Sequence, residues 1–134
     1  MEKEFPSKAQ FLLCEDIREE AHRKLNLVGV FAGDEVLLEG EESGKSLPSL
    51  AILAVFKEGK GEFNISTELL DPSGKPHGAV TSETRTVEIK NNKNMVAIFR
   101  WIGFLVPAFG DYTFTIKLDD KSYKYTFSII NSDK

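Results

Sequence analysis

The 134-residue sequence is poor in the residues that usually carry chemistry, with one cysteine, two histidines and one tryptophan. Because Cys14 is alone, an intramolecular disulfide is excluded. Zinc-type Cys-x-x-Cys pairs, His-Glu-x-x-His and Gly-x-Ser-x-Gly are also absent from the sequence. Cys14 lies in an apolar segment, where a thiol usually behaves as a small buried hydrophobe. The sequence therefore predicts a protein without catalytic activity and without a cofactor.

Long hydrophobic runs are missing too. The longest charge-free apolar stretch, Trp101 to Gly110, is about half the length of a membrane-spanning helix and contains Pro107. The first residues, Met1 to Lys8, hold two Glu and two Lys and lack the apolar core of a secretion signal. We therefore expect no membrane association and a cytoplasmic location.

Positive charge is in deficit, with 17 Lys and Arg against 21 Asp and Glu and a net charge of -4. Nucleic-acid binders normally concentrate basic residues on one face to contact phosphates. Residues 1–42 are instead strongly acidic. We expect no nucleic-acid partner, and any surface that meets the acidic part should be basic.

Alternation of apolar and polar residues is the strongest pattern present. In Tyr112 to Leu118 every second residue is apolar, and Tyr123 to Ile129 repeats the pattern after Asp119-Asp120, which predicts a hairpin. Phe63 to Leu69 forms a similar stripe that ends in a turn at Asp71 to Gly74. These periods predict an all-β protein.

Further strands are predicted over Gln10–Glu15, Leu25–Phe31, Leu50–Phe56, Thr81–Ile89 and Met95–Phe104, with a short edge strand over Val36–Leu38. The Asn-rich segment Asn91 to Asn94 separates two of them. About eight short strands favour a single antiparallel two-sheet β-sandwich, immunoglobulin-like or jelly-roll-like, over residues 1–134. At most one short helix, near residues 16–24, accompanies them.

Two segments near the start carry a family resemblance. Phe11 to Glu20, followed by Lys24 to Phe31, resembles a family of small bacterial and phage-borne proteins that form a domain of unknown function. The family resemblance continues through Leu47-Pro48 and the turn Asp71 to Gly74. It implies a cytosolic β-rich domain and assigns no catalytic residues.

The densest polar cluster follows Cys14. Carboxylate and imidazole ligands can hold a metal ion such as Ca²⁺ when they converge on one point. A helix over Asp16 to Lys24 would place three of the acids on one face. The alternative is a solvated turn in which the neighbouring bases balance the acids. The candidate ligands are Glu15, Asp16, Glu19, Glu20 and His22.

The segment Phe99 to Phe109 carries more aromatic side chains than one face of a strand can bury. Aromatic residues beside an arginine are typical of protein interfaces. The alternative is a central strand that is buried on both faces. The candidate partner-binding residues are Phe99, Arg100, Trp101, Phe104 and Phe109.

Together these observations predict a non-enzymatic interaction module, which binds a protein partner or forms a homo-oligomer. The alternative is a sandwich that binds a small ligand or a metal ion through the acidic cluster. Fold class alone does not decide between them, because β-sandwiches host many unrelated activities.

Overall fold

A computed structural model describes residues 3–39, 45–77 and 85–132 of the chain. Seven strands form in the described residues, and all of them join one hydrogen-bonded sheet. Their bounds are β1 Lys8–Glu20, β2 Lys24–Val30, β3 Glu35–Leu38, β4 Lys45–Leu70, β5 Arg85–Val106, β6 Gly110–Leu118 and β7 Lys121–Asn131. The all-β prediction is confirmed, whereas the division into two separate sheets stays a prediction.

The strand order is β2-β1-β4-β6-β7-β3, with β5 paired to β4. Every pair is antiparallel except β3 with β7, which is parallel. The sheet is therefore mixed rather than purely antiparallel. The short strand β3 reaches β7 in this direction after a 3₁₀ turn over Ala32–Asp34.

Strands β4 and β5 are longer than predicted. The sequence places a break after Phe56 and another at Asn91 to Asn94, but each strand continues through its break. The two breaks lie opposite one another, with Gly59 paired to Lys93, and the register shifts on both sides of Gly59. The irregular segments thus form a shared bulge that bends the pair without ending it. Residues 81–84 of the predicted strand Thr81–Ile89 lie outside the described ranges.

The candidate helix near residues 16–24 does not form, which agrees with the expectation of at most one short helix. Strand β1 continues to Glu20, and Asp16 to Glu20 pair with β2 in antiparallel register. A 3₁₀ turn over Ala21–Arg23 makes the reversal, with His22 at φ 63. The segment with the four-residue apolar spacing is too short to be stable as a helix by itself, so the strand pairing prevails.

The sheet folds over, so that side chains on the inner face of one part pack against those of another part. Phe99 of β5 contacts Phe114 of β6 with ring centroids 5.0 Å apart, and Phe11 of β1 stacks on Tyr125 of β7 at 5.1 Å. Strand β5 is not a hydrogen-bonded neighbour of β6, and β1 is not one of β7. These ring contacts are therefore made across the space between two parts of the sheet. The main core lies in this space.

The two predicted turns are present. Gly74 donates its N–H to the carbonyl of Asp71, and the Asp71 carboxylate accepts hydrogen bonds from the N–H groups of Ser73 and Lys75. These bonds lower the pKa of Asp71, with the Ser73 hydroxyl making the largest contribution. The Asp119-Asp120 turn joins β6 to β7, with Leu118 paired to Lys121.

Candidate functional site

The predicted aromatic set does not form one exposed surface. Trp101 is only 7% exposed and lies edge-on to Phe104 at 6.0 Å and to Phe114 at 5.6 Å. Phe104 is fully buried. Phe99 and Phe109 are half-buried and pack against the same core. Of the five predicted partner-binding residues, Arg100 is the exposed one.

The side chains that β5 turns outward come from the positions between these aromatics. Because successive residues of a strand face opposite sides, Val96, Ile98 and Arg100 stand on the outer face. Gly103, at φ +67, then interrupts the alternation. As a result both Ile102 and Leu105 are exposed while Phe104 stays in the core.

Apolar side chains from three neighbouring strands meet on this outer face. Strand pairing aligns Leu12 of β1 and Ile98 of β5 with Leu53 of β4. The next row aligns Gln10 and Val96 with Val55. We call the apolar members of these two rows the outer apolar face, which comprises Leu12, Leu53, Val55, Val96 and Ile98.

Part of the outer apolar face is open to solvent, whereas Leu53 is only 6% exposed and Val55 and Ile98 are partly buried. Leu12 is 47% exposed and Val96 is 49% exposed, although both are aliphatic residues in regular strands. A groove runs along it, lined by Gln10, Phe11, Leu12, Leu53 and Val55. Exposed apolar side chains beside a groove are a common feature of interaction sites.

A small second core supports the face from one end. Cys14, Ile17, Ala51 and Leu53 are buried together there, on the opposite side of the sheet from the main core. The Cys14 thiol lies 3.8 Å from the carbonyl oxygen of Ala51. Burial raises the pKa of this thiol, which disfavours the reactive thiolate.

The predicted metal ligands do not converge. Glu15, Asp16, Glu19 and Glu20 lie in an extended strand, which directs neighbouring side chains to opposite sides. His22 follows in the turn. Across residues 3–39, 45–77 and 85–132, no group of three or more His, Cys, Asp or Glu side chains could hold a metal ion. The helical face that the prediction required does not form.

The side chain of Arg100 contacts two of the acids that were predicted to bind a metal ion. Its guanidinium lies 3.6 Å from the Asp16 carboxylate and 3.9 Å from that of Glu19, and it donates a hydrogen bond to the carbonyl of Ile17. The acidic cluster is therefore partly neutralised by a residue that is far away in the sequence. Long-range strand pairing alone brings these groups together, so local sequence could not reveal it.

Charged residues border the outer apolar face at its two ends. Lys8 and Lys57 are paired across β1 and β4 beyond the row of Gln10 and Val55. At the other end the carboxylates of Asp16 and Glu19 lie near the guanidinium groups of Arg18 and Arg100. One end is thus basic, whereas these acids and bases of the other end are equal in number.

His77 is buried and packs as part of the core. Its side chain is 7% exposed and stacks on Phe104 with ring centroids 4.3 Å apart, although the residue follows the turn at Asp71 to Gly74. Its Nε2 lies 2.7 Å from the carbonyl oxygen of Leu105. The ring thus closes the core at the end of β5.

The fold and this face define a class, an all-β domain with one mixed sheet that is apolar on both sides of its first half. The chain belongs to the family of unknown function DUF6941, which it matches over residues 9–128. The opening segments of the sequence predict membership in a domain family of unknown function, and this prediction is confirmed. No curated protein matches the chain. Within the described residues, no helix has the length and apolar character needed to cross a membrane.

Proposed function

We propose that the protein is a non-enzymatic interaction module that binds a protein surface through the outer apolar face. The observation that carries the proposal is the alignment of five aliphatic side chains on three paired strands, with Leu12 and Val96 about half exposed. Burial of such surface is the main source of free energy in protein association.

The shape of the face favours a protein over a small molecule. Small-molecule sites are usually concave and enclose most of the ligand. The groove beside Leu12 and Val55 lies along one face of the sheet and is partly open to solvent. Sheet faces pack on other sheets through interdigitated side chains.

The positions of the reactive residues support a non-enzymatic role. Cys14 is buried with a raised pKa, and the His77 ring is engaged in a core stack. A nucleophile needs a base within hydrogen-bond reach. In this protein the hydrogen-bond partners found for the Cys14 thiol are the carbonyl oxygens of Asp16 and Ala51, which cannot act as that base.

Site-specific photocrosslinking in cells tests the proposal. A photoreactive amino acid at position 96 should give discrete covalent adducts, whereas the same residue at position 37 should give few. Leu37 is a matched control because it is 59% exposed and lies on β3, outside the outer apolar face. Equal adduct yields at the two positions, or none at position 96, would contradict the proposal.

A further inference from the structure

The segment that precedes β1 fills a gap along one edge of β4. On the edge opposite β5, strand β4 pairs with β1 as far as Lys57 and with β6 from Ile65 onward. Between these two points, Glu4 and Lys60 exchange backbone hydrogen bonds of 2.8 and 3.0 Å. We call residues Lys3 to Ser7 the strap. The strap thus extends the pairing of this edge from β1 towards β6.

The backbone of β4 is bare of side chains where the strap lies on it. A Cβ atom added at Gly61 would lie 2.5 Å from the Cβ of Lys3, and one added at Gly59 would lie 2.9 Å from the Cγ of Pro6. Glycine at both positions therefore lets the strap approach the β4 backbone closely. The groove that results, which we call the slot, is formed by Gly59, Gly61, Phe63, Asp119 and Tyr123.

The strap places an aromatic residue and a proline in the slot. The Phe5 ring packs on Phe63 with ring centroids 5.1 Å apart, and Phe63 is 1% exposed. Pro6 is buried, and its carbonyl oxygen accepts a hydrogen bond of 2.8 Å from the Tyr123 hydroxyl. Proline suits this place because it buries no backbone N–H group.

The strap also places a positive charge in the slot. The Lys3 ammonium lies 2.7 Å from the Asp119 carboxylate and donates a hydrogen bond of 2.6 Å to the carbonyl of Glu62. It also lies 4.9 Å from the centroid of the Phe63 ring, within the range of a cation–π contact. A carboxylate, an aromatic ring and a hydroxyl therefore contact a strap of the pattern basic residue, any residue, aromatic residue, proline.

The strap is held less firmly than the strand that follows it. Its backbone bonds to β4 at Glu4 and Ser7, whereas β1 pairs with β4 at every residue from Lys8 to Cys14. The charged residues of the strap are exposed. Segments held by few contacts open locally at a lower free energy than the core does. The strap can therefore leave the slot while β1 stays paired.

We infer that the slot is a binding site for an extended peptide segment of a protein partner, with the pattern basic residue, any residue, aromatic residue, proline. The strap is the resident occupant of this site, and the partner's segment displaces it and pairs with β4 by strand addition. The slot shares no residue with the outer apolar face, so the inference goes beyond the proposed function and does not depend on it.

Fluorescence anisotropy with the full chain tests the site, and the probe is a labelled peptide Lys-Glu-Phe-Pro-Ser-Lys, the sequence of residues 3–8. Phe5→Ala loosens the strap and leaves the slot intact. We expect this variant to bind the peptide about tenfold more tightly than the wild type, because a resident occupant lowers the fraction of protein that can bind. Lys3→Ala should act in the same direction, since it removes the ion pair with Asp119 from an exposed part of the strap. Circular dichroism should show both variants to be folded.

Two controls isolate the slot. A peptide with alanine in place of phenylalanine should bind the Phe5→Ala variant about tenfold more weakly, because it lacks the ring that packs on Phe63. Leu12→Ala, on the outer apolar face, should bind the original peptide as weakly as the wild type does, since Leu12 contacts neither the strap nor the slot.

Three results would overturn the inference. The first is that the peptide does not bind the folded Phe5→Ala and Lys3→Ala chains. The second is equal affinity of the wild type and both variants, since the strap and the peptide would then not compete. The third is equal affinity of the two peptides, since the slot would then not recognise the aromatic residue. Photocrosslinking at position 96 tests the outer apolar face separately.

Discussion

The outer faces of the two parts of the sheet differ in chemistry, although their inner faces are alike. On β6 and β7 the outward residues are polar, as in the run Thr113, Thr115 and Lys117 and in Lys124 and Thr126. On β1, β4 and β5 the corresponding face is aliphatic, as in Leu12, Leu53 and Ile98. Both parts supply aromatic and aliphatic side chains to one inner core.

The contrast shows that the outer apolar face is not needed to build the main core. The β6–β7 hairpin packs on that core with a solvated outer side, which is the usual arrangement of an antiparallel sheet. Strand β4 contributes to the main core through Ile52 and Ala54, and to the second core on the other side of the sheet through Leu53. Of the outer apolar face, Leu12 and Val96 are therefore the side chains most available for binding.

The largest effect is expected where the two parts meet. Trp101→Ala should lower the free energy of unfolding by about 3–5 kcal/mol, because it removes a buried ring that contacts Phe104 and Phe114. Urea denaturation measures it, with Val96→Ala on the outer face as the control. A loss below about 1 kcal/mol would show that Trp101 is not part of the shared core.

The position that turns both Ile102 and Leu105 outward should tolerate little change. Gly103 has φ +67 and no atom lies within 4 Å of an added Cβ, so Gly103→Ala meets backbone strain without a clash. Such strain costs about 1–2 kcal/mol. Thermal or urea unfolding should show this loss, and Gly103→Asn should recover part of it, since Asn accepts positive φ more readily. Equal stability of all three proteins would contradict the assigned backbone conformation.

A polar contact closes the other part of the sheet. The Tyr125 hydroxyl donates a hydrogen bond of 2.6 Å to the Asp34 carboxylate, beside the start of β3. Tyr125→Phe should cost about 1.5 kcal/mol, the lower end of the usual range for a hydrogen bond to a charged group. Amide hydrogen exchange should show that the substitution lowers protection mainly in β3 and β7. An equal loss of protection in all strands would indicate that this hydrogen bond does not hold β3 in place.

Acid should destabilise the β6–β7 turn, because protonation of Asp119 removes its contact with Lys3. Lys3 pairs with the Asp119 carboxylate at 2.7 Å, and this contact with the Asn64 N–H bond holds the pKa of Asp119 below its usual range. Because the folded-state pKa is depressed, the stabilisation is complete above the unfolded pKa and is lost as pH falls through the folded value. Asp119→Asn should therefore flatten the profile of unfolding free energy against pH in acid, relative to the wild type. Parallel profiles for the variant and the wild type would contradict this assignment.

The difference between the two parts also explains what sequence could predict. Strict alternation marks β6 and β7, and their strands and turn agree with the prediction to within two residues. In the first half, apolar residues occupy both faces, so alternation is lost and the outer face cannot be told from the core. The continuity of β4 and β5 was hidden because polar residues opposite each other form a shared bulge.

The candidate site depends on contacts that are distant in sequence. Arg100 meets Asp16 only because β1 and β5 both flank β4. The composition of the sequence points to the right strand but favours its aromatic residues, which are the large side chains that a core needs. The exposed aliphatic residues between them carry no distinctive composition, and their role becomes visible only in the strand register.

The smallest effect on stability is expected at the most exposed apolar residue. Ile102 is 93% exposed, so Ile102→Ser should change the free energy of unfolding by no more than about 0.5 kcal/mol. The neighbouring substitution Trp101→Ala provides the contrast, because adjacent residues of a strand face opposite sides. Urea denaturation of the two variants side by side measures how sharply the sheet divides core from surface. A loss at Ile102 comparable to that at Trp101 would mean that the outer side of β5 is already covered within the same chain, which would remove the surface that an interacting protein needs.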